Sequence, residues 1–229
     1  MEEKNGDKSF LSEGKMKVLT DNLVILFNGK TNEIIMVDEQ KKTYSRATPD
    51  EYCKTMSDMI NQAKDHVPAE YRQMMEQMMK SKSKNTTSQV VSISNTGIQE
   101  KIAGLNTDKY KVTVNGDLYE EVYLATDTEL KKDYEPLIPL MQKFSKCASA
   151  SLNMMETLPE NDPEYQKLIE KGFIVKSVSY KNGSHDASTD MMNLEKTTVP
   201  DSVFTVPSSY KKLDLAELLK SQMNMDEEE

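Results

Sequence analysis

Apolar and polar positions along this chain follow two rhythms, and the changes between them divide it. From Gly14 to Ala47, "GKMKVLTDNLVILFNGKTNEIIMVDEQKKTYSRA", short runs rich in Val, Ile, Leu and Tyr alternate with turn residues. This predicts strands at about 15–20, 22–28, 33–38 and 41–46. Then the period lengthens. Thr48-Pro49-Asp50-Glu51 combines an N-cap hydroxyl, proline at the first helical position and acid in the first turn. Tyr52, Met56, Met59, Ile60 and Ala63 then share one face at helical spacing, which predicts a helix over 50–64. Pro68 starts a second helix, expected over 68–81. On it Tyr71, Met74, Met75, Met78 and Met79 fall within about 140° of arc. Lys80, Lys82 and Lys84 suit its C-terminal end.

Alternation resumes after these helices. "TSQVVSIS" and "GIQEKIAGLNTDKYKVTVNGDLYEEVYLATD" read as several strands, with Asn115-Gly116 as the sharpest hairpin signal. A long helix is expected over 135–156, with Leu137, Met141, Phe144, Ala148, Leu152 and Met155 as its apolar stripe. A short helix at about 163–171 leads into a further hairpin turning at Asn182-Gly183, and "DLAELLKSQM" reads as a terminal helix. The Asn-Gly hairpins imply antiparallel pairing, and the strands lack the helix that each parallel crossover needs. The expected fold is therefore α+β: one curved antiparallel sheet with the helices at 50–64, 68–81 and 135–156 packed on its concave face. The expected organisation is a flexible arm at 1–13, a single domain at 14–213, and a terminal helix with an acidic tail at 214–229.

Charge narrows the partners. The net charge over 229 residues is −9, against the basic field that sequence-independent nucleic-acid binding requires, so no nucleic-acid partner is expected. No apolar run reaches the ~20 residues of a spanning helix, so no transmembrane segment is expected. Taken literally, "MEEKNGDKSF" carries no signal peptide and reads as cytoplasmic; a mature exported chain would begin in the same way.

Catalytic patterns are sparse. GxSxG, GxxxxGK[ST], GxGxxG and HExxH do not occur, so no cofactor, hard-metal site or catalytic set is expected. His66 ends the first helix, where an imidazole commonly caps carbonyls. His185 stands beside Asp186 in a hairpin, and a hydrolase using it is the enzymatic alternative. The acids Glu120 and Glu121 alternate across a strand and are read as solvated. Cys53 and Cys147 lie outside any CxxC spacing and read as two buried thiols or one disulfide.

The methionines carry the remaining signal. Met56, Met59, Met74, Met75, Met78, Met79, Met141, Met154 and Met155 all fall on expected helices, while the strands use Val, Ile, Leu and Tyr. Three readings follow: ordinary core, a soft-metal site for copper(I) through thioethers, or an adaptable apolar wall for a ligand. A rigid sheet under soft helices suits a hydrophobic cavity. Its expected lining is Tyr52, Met56, Met59, Tyr71, Met74, Met75, Met78, Met79, Met141 and Phe144. A purely structural or protein-interaction role is the further alternative.

"KIAGLNTDKYKVTVNGDLYEEVYLATD", with Ile102-Ala103-Gly104, Tyr110 and Tyr123, resembles the signature of an uncharacterised bacterial family of exported proteins. "VFTVPSSYKKL", with Phe204, Pro207 and Tyr210, resembles that family's closing segment. Leu105 and Thr107 stand where its pattern has an aromatic residue and a cysteine, and Tyr123 where it has tryptophan. The family is similar in turn to the LolA/LolB-like lipoprotein carriers, in which an incomplete antiparallel barrel cups helices around an acyl-chain cavity. The resemblance implies export to the periplasm or outer membrane, a removed signal peptide, no enzymatic role, and a lipid or lipidated protein as partner. In an exported chain, Cys53 and Cys147 are expected to be bonded or close, because both flank stripes that face one core. Closing that loop stabilises by up to roughly 4–5 kcal/mol in the chain-entropy model.

Overall fold

The computed structural model describes residues 8–20, 23–66, 89–152, 159–191 and 193–223. The chain divides into two compact units. The first comprises 1–72, 136–152 and 198–229, the second 73–135 and 153–197. Where the sequence pattern reads as one sheet in one domain, there are two sheets, one in each unit.

The first unit is built on β1 (Lys8–Ser12), β2 (Lys15–Leu19), β3 (Val24–Asn28), β4 (Glu33–Asp38) and β5 (Thr43–Ala47). These pair antiparallel in chain order, and β11 (Lys211–Lys212) adds to β5 in parallel. Part of the expected flexible arm is thus the edge strand β1. Asn28 closes the β3–β4 turn by accepting from the Lys30 and Thr31 amides at 3.0 and 3.2 Å, an Asx turn.

α1 (Pro49–His66) begins as its sequence dictates. Thr48 Oγ1 accepts from the Glu51 amide, and Glu51 Oε2 accepts from the Thr48 amide at 2.7 Å, a reciprocal capping box. The bonds from the Thr48 amide and hydroxyl hold the Glu51 carboxyl below its ordinary pKa. α3 (Ile138–Leu152) and α5 (Leu215–Met223) complete the unit's helices. The helix expected from 135 instead opens as a 3-10 turn at Glu135–Leu137, where Pro136 and Pro139 lack the amides that a regular ladder needs. The helix expected over 68–81 lies outside the described residues.

Register assigns the faces of this sheet. Phe27 pairs Ile34, and Ile34 pairs Ala47, so these side chains share a face with Met36. That face carries α1, α3 and α5: Met36, Ala47, Tyr52, Cys147, Leu215 and Leu218 form one buried cluster. Val24, Leu26, Ile35 and Val37 point the other way and pack against Val206 and Tyr210. β4 is buried on both faces and reads as a near-continuous apolar run for that reason. The β4–β5 turn also holds the end of α5. Buried Asp38 accepts from the Lys41 amide and from Gln222, and Lys41 Nζ donates to the Ser221 carbonyl at 2.8 Å.

The second unit is a five-stranded antiparallel sheet in the order β10-β9-β8-β7-β6. Its strands are β6 (Val91–Ile102), β7 (Leu105–Val114), β8 (Asp117–Ala125), β9 (Phe173–Lys181) and β10 (Ser184–Asp190). Both expected Asn-Gly hairpins form: Asn115-Gly116 and Asn182-Gly183 all have positive φ, as a two-residue turn between right-twisted strands requires. α4 (Pro163–Ile169) covers one face through Tyr165 and Leu168. α2 (Thr128–Tyr134), a helix the apolar pattern does not announce, lies on the other. Asp127 caps it, accepting from the Glu129 and Leu130 amides, and Tyr134 meets the Phe173 ring edge-on at 5.0 Å.

Candidate functional site

The helical layer of the first unit gathers the expected lining residues that the structure describes. Asp50 pairs with Lys143 and Cys53 with Cys147. Residue numbers rise together along both helices, so α1 and α3 lie side by side in parallel. Cys53 and Cys147 are joined by a disulfide, with their Cα atoms 5.2 Å apart. Phe144 is the hub beneath it. Its ring meets Tyr52 at 4.8 Å and Phe27 of the sheet at 5.7 Å, the latter edge-on, distances at which aromatic pairs add to plain area burial. Tyr52 is buried, and that burial pushes its phenol pKa up. Met56, Met59 and Met141 are half-buried, and Met56 packs against the same cluster. Tyr71, Met74, Met75, Met78 and Met79 lie outside the described residues. The layer thus presents thioethers and rings with little fixed polarity, chemistry suited to apolar contact.

The second unit holds a polar arrangement that sequence reasoning missed. β7 and β8 slip register at Tyr119: Val112 pairs Glu120, but Thr113 pairs Leu118. Such a bulge re-aims a side chain, and here Tyr119 and Glu120 both engage residues of the α4 region. Tyr119 Oη donates to Glu160 Oε1 at 2.6 Å, and Tyr165 Oη donates to Glu120 Oε2 at 2.7 Å. Gln166 donates to the Glu160 carbonyl.

Glu120 is only 8% exposed, which corrects its reading as solvated. Burial pushes its carboxyl pKa up and the Glu160 charge adds to that, while bonds from Tyr165 and Ser177 oppose it. Burial likewise raises the Tyr119 and Tyr165 phenols, helped by the carboxylates they serve. Glu121 faces the other way and is not solvated either, since Lys109 meets it at 2.9 Å. Burial works against its charge, but the bonds from Lys109 and Tyr180 outweigh it and hold the carboxyl low. The alternation of the two acids was legible, but their depth was not.

His185 is exposed on β10, with Tyr180 as a ring neighbour at 6.5 Å, and not in the pocket that the hydrolase alternative needs. Among the described residues, no group of three or more His, Cys, Asp or Glu side chains is placed to hold a metal ion. Nor is any described helix long and apolar enough to cross a membrane.

Two antiparallel-rich sheets with few helices define an α+β protein. Residues 54–210 match the model of a domain of unknown function, DUF4412, and the chain belongs to that family. The match opens just after Cys53 and takes in the whole of the second unit's sheet. No curated protein matches the chain. Two solved structures of PNGF-II, in the C2 and P21 space groups, share 14% and 12% identity with it, at TM-scores of 0.35 and 0.23. They cover 96% and 95% of this chain, which spans only 30% and 32% of theirs.

Proposed function

We propose that the protein is a non-enzymatic component of the cell envelope that binds or carries an apolar ligand, a lipid or the acyl chains of a lipidated partner. The observation that carries this reading is the helical layer of the first unit. Half-buried Met56 packs in one cluster with the Tyr52–Phe144 ring pair, and Met59 and Met141, also half-buried, stand on the same two helices, α1 and α3. Thioether side chains are flexible and polarisable, and so adapt to irregular apolar surfaces. A ligand that replaced the lost side-chain contacts would cost the fold little. The LolA/LolB-like resemblance supports the same reading, since in those carriers an incomplete antiparallel barrel cups helices around an acyl-chain cavity. A periplasmic or outer-membrane location accords with the Cys53–Cys147 disulfide, because such bonds persist in oxidising compartments.

The test is native mass spectrometry with lipid extraction, on protein purified from an envelope fraction. The expected result is a stoichiometric apolar ligand, lost when Met56 and Met59 are replaced by Asp. Ligand-free protein that also fails to bind a fluorescent fatty acid would leave a structural or protein-interaction role in its place.

A further inference from the structure

The Cys53–Cys147 disulfide sits within the apolar layer. Cys53 directly follows Tyr52, and Cys147 comes just under a turn after Phe144. The two rings it brackets are 4.8 Å apart, and both cysteines pack in the cluster that includes Met56, Leu215 and Leu218. Beyond Cys53 the character of α1 changes. From Lys54 to Gln62 every side chain is half-buried or exposed, and none is buried. A helix with so little buried surface belongs to the low-stability end of a fold, where local opening is easiest. The ion pair between Asp50 and Lys143 adds little, since those side chains are 76% and 53% exposed.

We infer that this disulfide is a redox-operated clasp on the helix pair. Oxidised, it holds α1 against α3 and keeps the layer shut. Reduced, it lets the part of α1 beyond Cys53 swing from α3 and exposes the Tyr52–Phe144 face. The inference deepens the apolar-ligand reading, on which the entry of a ligand rests. The clasp itself rests on the helix pair alone.

The chemistry is ordinary thiol–disulfide exchange with an external dithiol. Its thiolate attacks Cys53 Sγ, since Cys53 is half-buried while Cys147 is only 7% exposed. The S–S bond breaks, its electron pair leaves with Cys147 Sγ, and that sulfur takes up a proton. The second thiol of the reagent then displaces Cys53 as a thiolate, which is protonated in turn. The protein gains two electrons and two protons, and the dithiol becomes a disulfide.

Hydrogen exchange read by mass spectrometry tests this on oxidised protein, dithiol-reduced protein and the C53S/C147S variant. In the latter two, amides of residues 54–66 should exchange about tenfold faster while those of β4 keep their protection. A fluorescent fatty acid should then bind about tenfold more tightly to the reduced form. Unchanged exchange over 54–66 overturns the clasp, and equal binding of the probe in both states would leave the apolar-ligand reading standing. Loss of protection in β4 as well overturns the clasp too, since the disulfide would then serve global stability alone. Faster exchange confined to 54–66, with the probe bound in neither state, upholds the clasp and overturns the ligand reading.

Discussion

Replacing Gly29 by alanine isolates a single close approach in the first unit. Gly29 ends the β3 hairpin arm, and its amide donates to the Gly14 carbonyl at 2.9 Å. The turn at Glu135–Leu137 lies directly against it. A Cβ there would overlap the Pro136 carbonyl oxygen and stand 2.5 Å from the carbonyl carbon and 3.0 Å from the Leu137 amide nitrogen. Carbon atoms pack at about 3.5–4.0 Å, so something must move by about 1 Å. Trimming the Pro136 side chain gives no relief, because the clash is with backbone. If the hairpin yields, the Gly29–Gly14 bond goes, at about 1 kcal/mol. If the turn yields, Leu137, which is 0% exposed, is drawn from its packing and forfeits part of the ~1.5–3 kcal/mol that burying it contributes. A shift shared between the two disturbs both in part, at a cost of about 2–3 kcal/mol, or a fall of roughly 4–12 °C in midpoint for a chain of this size. Circular-dichroism melts and urea titrations of the oxidised protein measure it. Gly116→Ala is the control: nothing lies within 4 Å of its Cβ position, but its φ is +93°, so only backbone strain of about 1 kcal/mol is expected. If Gly29→Ala costs no more than Gly116→Ala, steric contact with the Pro136 carbonyl does not govern this site.

Three further outcomes are expected. Because burial raises the folded-state pKa of Glu120 above the ordinary 4.5, its contribution is fully present below that value and is lost as pH rises through the folded pKa; Glu120→Gln, an uncharged mimic, should therefore match wild type near pH 4 and exceed it in stability at pH 8, and identical pH profiles would refute this. Tyr165→Phe removes the donor to Glu120 Oε2 and should cost about 1–3 kcal/mol in urea unfolding, with Glu120 titrating higher still by carboxyl NMR. Phe144→Ala removes the ring that touches both Tyr52 and Phe27; since Phe144 is half-buried, about 2–3 kcal/mol is expected rather than the ~3–5 of a full core site, and fluorescent fatty-acid binding should weaken with it.

What could be read from the sequence was what local chemistry decides. Asn115-Gly116 and Asn182-Gly183 announce their hairpins because few other residue pairs accept positive φ at both positions. The α1 boundary follows from Thr48, Pro49 and Glu51, three residues whose preferences agree. Helical spacing likewise put Tyr52 and Met56 on one stripe and Phe144 on another, and these meet in one cluster. The division into two sheets was out of reach, because local patterns mark strands but not which distant strands pair: β5 ends its run beside β11, more than 160 residues later, while β6 to β10 pair only among themselves. α2 escaped notice because its seven residues are too few to display a period and none is buried. Glu120 was misjudged because alternation assigns a face but not a depth, and because the bulge at Tyr119 breaks the period of two just before it.

The interleaving of the two units bears on the order in which they are completed during synthesis. The first unit takes its opening strands from the start of the chain, but it also needs 136–152 and 198–229. Between Ala47 at the end of β5 and Thr198 lie 150 residues, roughly 8–30 s of elongation at ordinary ribosomal rates. α3 emerges within that interval, but α5 follows it, so the apolar faces of β3 and β4 stay incompletely covered throughout. The second unit closes at residue 197 and is finished first. The N-terminal strands are therefore the last to be sheltered, and a chaperone that guards nascent or translocating chains would find its longest-lived client surface there.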